Sequence, residues 1–136
     1  MKLSHCAAAL FFLLPIAASA ADCDHPPGGI GLGSAQANLQ CAEKTRAATD
    51  QKLNDIYQKL LATLRDDPKR GINPHSDLIA AQRAWIAYRD AECGFRNSLS
   101  SGAPQWAAVN RSECLTDLTA ARAKNLAEYL QQAQAE

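Results

Sequence analysis

The chain has 136 residues with 14 Lys+Arg and 14 Asp+Glu, so it offers no basic footprint for nucleic acid or an anionic membrane. Its length suits one domain rather than two, and an aromatic content of 6% makes the core depend on Leu, Ile and Ala. So thin a core calls for reinforcement from outside the apolar contacts.

Residues 1–20, MKLSHCAAALFFLLPIAASA, read as a secretory signal peptide. Lys2 precedes an apolar run from Ala7 to Leu14, and Ala18-Ser19-Ala20 form a small-x-small cleavage signal. The run is too short to span a bilayer. A lipoprotein would carry small residues directly before its acylated cysteine, but Asp22 precedes Cys23 and Cys6 lies ahead of the run. The expectation is a periplasmic or secreted protein without a membrane span. Cleavage leaves 116 residues and removes only Lys2 among the charges, for a formal net charge of −1.

Four cysteines remain: Cys23, Cys41, Cys93 and Cys114. An even number in a small exported chain implies disulfides, and the absence of C-x-x-C spacing argues against zinc or thioredoxin-like chemistry. Residues 21–34, ADCDHPPGGIGLGS, form an irregular arm rich in Pro and Gly. From Ala35 to Arg65 there is no Pro or Gly, and Leu53, Ile56, Tyr57, Leu60 and Leu64 recur at helical spacing. DDPKRGINP breaks this first helix. Asn73 as N-cap and Pro74 at the first position start a second, in which Gly94 is a weak point. SSGAP makes the next break, and a third helix starts near Pro104, with Leu115, Leu118, Leu126 and Tyr129 on one side.

Short breaks make neighbouring helices antiparallel. The predicted fold is all-α: three long helices, up-down-up, over residues 35–136, with an irregular N-terminal arm, the whole stapled by two disulfides. Cys93 falls about 9 Å before the end of the second helix and Cys114 about 15 Å into the third, at 1.5 Å per residue. Three connectivities are open. The shorter closures favour Cys23–Cys41 and Cys93–Cys114, each contributing about 3 kcal/mol.

Within AQRAWIAYRDAEC, the residues Gln82, Trp85, Arg89 and Cys93 fall on one helical face. An arginine there requires a carboxylate partner. Asp50 lies on the apolar face of the first helix, and Arg122 lies between Leu118 and Leu126 on the third. The expectation is a structural polar seam in which Asp50, Arg89 and Arg122 meet.

DQKLNDIYQKL, LIAAQRAWIAYRDAEC, and the later Cys114, Arg122 and Leu126 occur in one order over nearly the whole exported chain. Together they resemble the small exported family that includes the N-terminal domain of the lysozyme inhibitor LprI. Asp50, Leu53, Tyr57, Gln82, Trp85, Arg89, Asp90, Cys93, Cys114 and Arg122 match its signature positions. Seventeen residues separate Cys23 from Cys41, a wider interval than the family pattern leads one to expect. The resemblance implies a helical, disulfide-bonded protein that binds a lysozyme or another envelope protein.

Catalytic constellations are absent from the pattern. His25 and His75 have no second histidine at ligand spacing, and His75, Ser76 and Asp77 are adjacent helical residues that cannot form a triad alone. GGIGLG follows prolines rather than a strand. The function expected is therefore a non-catalytic binding protein, without metal or cofactor, or else a structural or assembly component of the envelope. Lys69 and Arg70, at the tip of the break between the first and second helices, are the candidate binding loop. A plug for a cleft bearing two carboxylates needs such a basic tip. NSLSSGAPQW is a second candidate surface, with Trp106 as interface anchor or core.

Overall fold

The computed structural model describes residues 21–100 and 102–135. The expected signal peptide, residues 1–20, lies outside them. Three helices account for most of the described chain: α1 (Leu32–Thr63), α2 (Pro74–Leu99) and α3 (Ala107–Ala135), the last entered through a 3₁₀ turn at Pro104–Trp106. No described residue belongs to a β-strand, and the paired backbone of Asp67 and Ile72 is an isolated bridge.

The helices run up-down-up, as their shared surfaces show. Leu60 and Leu64 near the end of α1 border one cavity together with Pro74 and Leu78 at the start of α2, and Tyr129 and Ala133 near the end of α3. Cys41, early in α1, borders another with Glu113 and Asp117, early in α3. α1 and α3 are therefore parallel, with α2 antiparallel to both. α3 packs mainly on α1 and more lightly on α2. Its fully turned-in residues are Val109, Ser112, Thr119, Ala123 and Leu126. The expected stripe of Leu115, Leu118, Leu126 and Tyr129 is only partly used inward: Leu126 is sealed, but Tyr129 remains 48% exposed. α3 touches two helices, so the side facing both selects small residues where the leucine pattern alone points elsewhere.

The apolar core lies toward one end, around Leu53, Leu60, Leu78, Ala123 and Leu126, with Ile56, Tyr57 and Trp85 packed against it. The two disulfides lie toward the other. They join Cys23 to Cys41 and Cys93 to Cys114, with Cα separations of 5.3 and 5.7 Å. Both pairings follow the shorter closures.

The arm is shorter than its composition suggests. α1 begins at Leu32 rather than Ala35, because extended Gly31 caps it and its carbonyl accepts from the Ala35 amide at 3.0 Å. Gly33 sits in the first turn, where little intrahelical bonding is at stake, and buried Ala35 anchors that turn. The rest of the arm is irregular but ordered by side chains. Ser34 donates to the Gly28 carbonyl, Asn38 to that of Pro27, and Gln105 and Trp106 to that of Ile30. Trp106 is thus a clamp on the arm, neither sealed core nor free anchor.

At the α1–α2 turn, Asn73 occupies the cap position but makes no side-chain cap bond. Asp66 does so instead. Its Oδ1 accepts from the amides of His75 and Ser76, and its Oδ2 from the Ser76 hydroxyl. The Ser76 hydroxyl, followed by these amides, holds the Asp66 carboxyl below the usual carboxylate range. The Asp66-Asp67 pair is therefore built into the turn.

Candidate functional site

Four α2 residues, spaced three, four and four, face the other helices as their spacing requires. Gln82 and Cys93 are buried, and Trp85 and Arg89 are partly so. The Arg89 side chain is 16% exposed and serves all three helices. Its Nη1 donates to Asp50 Oδ1 on α1 at 3.4 Å and to Thr119 Oγ1 on α3 at 3.3 Å. Its Nε and Nη2 hold Asp90 on α2 at 3.0 and 2.9 Å. A planar guanidinium is suited to this because its donors point in fixed, divergent directions.

Asp50 is shared. Its second oxygen accepts from Arg46 Nη1 at 3.3 Å, and Arg46 in turn holds Glu43 through Nε and Nη2. The result is an alternating chain, Glu43–Arg46–Asp50–Arg89–Asp90. The Arg46 guanidinium is the main reason the Glu43 carboxyl titrates below its ordinary range, and Glu43 raises Arg46 in return. Glu43 is therefore kept charged and is not poised as a general acid or base near neutrality.

Arg122 does not join this chain, contrary to the expected meeting of Asp50, Arg89 and Arg122. Its Nε donates to the Gln82 side-chain Oε1 at 3.0 Å. The Arg122 and Arg89 guanidinium carbons lie 5.9 and 5.2 Å from the Trp85 ring centroid. Trp85 accepts two cations, each contact contributing about 0.5–2 kcal/mol depending on desolvation. The physical reason is axial offset: Asp50 lies level with Arg89 and Thr119, while Arg122 lies further along α3, level with Gln82. Thr119, fully buried, was not legible beforehand, since a threonine inside a helix carries no partner signal of its own.

Lys69 and Arg70 lie apart from this seam, on the turn between α1 and α2. That turn is closed in both directions between Asp67 and Ile72, at 2.7 and 3.1 Å, with Gly71 at φ 70°. The left-handed backbone there suits glycine. Arg70 is partly spent within the turn, its Nε lying 2.6 Å from Asp67 Oδ2. Lys69 is exposed and forms no ion pair among the described residues. No group of three or more His, Cys, Asp or Glu able to hold a metal occurs among the described residues. No helix among them is long and apolar enough to cross a membrane.

The Gln82–Trp85–Arg89–Cys93 face, the shared Asp50 and the Cys93–Cys114 bridge all lie within the stretch that matches a family model. That model is described as lysozyme inhibitor LprI, and it covers residues 32–126. The chain belongs to the LprI family. The LprI match begins at the first residue of α1, so it includes Cys41, Cys93 and Cys114 and leaves out the arm with Cys23. An uncharacterized protein, R02472, of Rhizobium meliloti (strain 1021) is 33% identical over 104 residues, spanning 69% of this chain and 72% of that one. No solved structure matches the chain significantly. For an LprI-family chain with two disulfides, an oxidising compartment is the consistent location.

Proposed function

We propose that the protein is an exported, non-catalytic binding protein of the periplasm that inhibits a lysozyme. The observation carrying this reading is the LprI match over residues 32–126. The signal-like residues 1–20 support export. The turn between α1 and α2 supports a mode of binding. A lysozyme cleft carries two carboxylates across the scissile bond, and a closed, protruding turn with an unpaired lysine at its tip is electrostatically matched to it. Lys69 supplies the free cation, and Arg70 can exchange Asp67 for a partner's acid.

The test is lysozyme activity titrated with the oxidised protein lacking residues 1–20. Stoichiometric inhibition is expected. No inhibition at tens of micromolar, a binding free energy weaker than about −6 to −7 kcal/mol, removes the inhibitor reading and favours an assembly role in the envelope. Lys69→Ala with Arg70→Ala is expected to abolish inhibition while leaving the melting temperature nearly unchanged. Undiminished inhibition by that double variant rejects the basic turn as the plug but leaves the inhibitor reading standing.

A further inference from the structure

The end of the bundle remote from the disulfides contains a cavity of about 450 Å³. Its floor is aliphatic, built chiefly by Leu60, Leu64 and Leu78, of which Leu60 and Leu78 also belong to the core. Around the opening stand Asp77 from the first turn of α2, and Arg122 and Tyr129 from α3.

Several carboxylates elsewhere in the bundle are engaged by neighbouring side chains. Asp50, Asp66, Asp67 and Asp90 all accept hydrogen bonds from side chains. Among the described residues, the Asp77 carboxylate and the Tyr129 hydroxyl have no hydrogen-bond or ion-pair partner, and Arg122 uses only its Nε. Its two Nη groups remain for something else. Asp77 and Arg122 border the same recess, yet they do not pair. Arg122 is tethered to Gln82 and stands beside Trp85, which holds it back from the outer turn where Asp77 sits. Opposite charges from two helices bordering one aliphatic floor, with hydrogen-bonding capacity left over, have the composition of a small-ligand site.

We propose that this cavity binds a small zwitterion bearing an aliphatic side chain. The carboxylate takes the Nη groups of Arg122, the ammonium faces Asp77, and the side chain lies on Leu60, Leu64 and Leu78, leaving water. Free amino acids and short peptides share this chemistry and differ in the distance between their two charges. The site is separate from the proposed basic plug and does not depend on the inhibitor reading.

The experiment is calorimetric titration of the oxidised protein with L-leucine and with the dipeptide Leu-Leu. N-acetyl-leucine and leucinamide, each lacking one charge, serve as comparators. Fluorescence of Trp85 in a Trp106→Phe background gives a second readout, because Trp85 adjoins Arg122. Saturable one-to-one binding is expected for at least one zwitterion, with each blocked form weaker by about tenfold or more. Saturation by leucine alone identifies a free amino acid as the ligand class; saturation by the dipeptide alone identifies a peptide. Asp77→Asn, an exposed change, is expected to bring leucine down to the affinity of N-acetyl-leucine with the melting temperature little altered. Failure of both zwitterions to saturate below about 10 mM, or equal affinity for blocked and unblocked forms, overturns the proposal.

Discussion

At one end of the bundle Leu53, Leu60, Leu78, Ala123 and Leu126 close around one another. At the other, buried Ala35, Val109 and Ser112 offer far less apolar bulk, and there Cys23–Cys41 and Cys93–Cys114 join the chain to itself. Small side chains exclude little water and so contribute little transfer free energy. A crosslink stabilises without needing volume, because its main effect is to restrict the unfolded chain. The two ends show a division of labour open to a small exported domain: leucines where three helices can surround them, and covalent bonds where they cannot. The charged seam of Asp50, Arg89 and Thr119 lies between the two regimes.

The largest expected effect is at the leucine end. Leu126→Ala removes a fully buried side chain and is expected to cost about 3–4 kcal/mol, read as a lower urea midpoint. Cys93→Ala with Cys114→Ala is expected to cost about 3 kcal/mol. Its hydrogen-exchange signature should be local: amides flanking the lost bridge exchange sooner, while those around Leu53 and Leu126 stay protected until global unfolding. Uniform loss of protection would break the division between the ends.

A smaller effect is expected at the seam. Asp50→Asn removes a carboxylate that is 31% exposed and shared by two arginines, so solvent screening limits the loss to about 1 kcal/mol. Added salt should shrink the difference between variant and parent.

The smallest effect is in the acid limb of stability. Glu43 and Asp66 both have folded-state pKa values below their ordinary 4.5 and 3.8. Their contributions are therefore fully present above those ordinary values and are lost as pH falls through the lower, folded ones. Urea midpoints should hold steady down to about pH 4.5 and then decline. Asp66→Asn should make that decline shallower, and an unchanged decline would remove Asp66 from it.

Much of the seam was legible because helical periodicity places Gln82, Trp85, Arg89 and Cys93 on one side regardless of what lies opposite, and a turned-in arginine demands an acid. Asp50 was found by the same logic. The partner of Arg122 was not, since Asp50 and Gln82 are both acceptors on inward faces and only the axial offset of α3 separates them. The Asp66 cap escaped for a related reason. It acts across nine residues and exists only once the hairpin turn has closed, whereas Asn73 occupies the position where local rules place a cap. Gly31 and Gly33 masked the start of α1, because glycine propensity weighs against a turn that buried Ala35 secures from outside.

The sequence alone determined the three helices, their breaks and their antiparallel order, since these follow from periodicity, Pro/Gly punctuation and short connections. Cysteine parity and closure length were enough to favour the two bridges. Tertiary structure decided which arginine received the carboxylate, which aspartate capped α2, and that Asp77 and Arg122 would face one aliphatic recess unpaired. Each residue along a helix advances 1.5 Å and turns by about 100°, so a slight slide or rotation of one helix exchanges one set of partners for another. Pattern records which face turns inward. Only packing sets the height at which the faces meet.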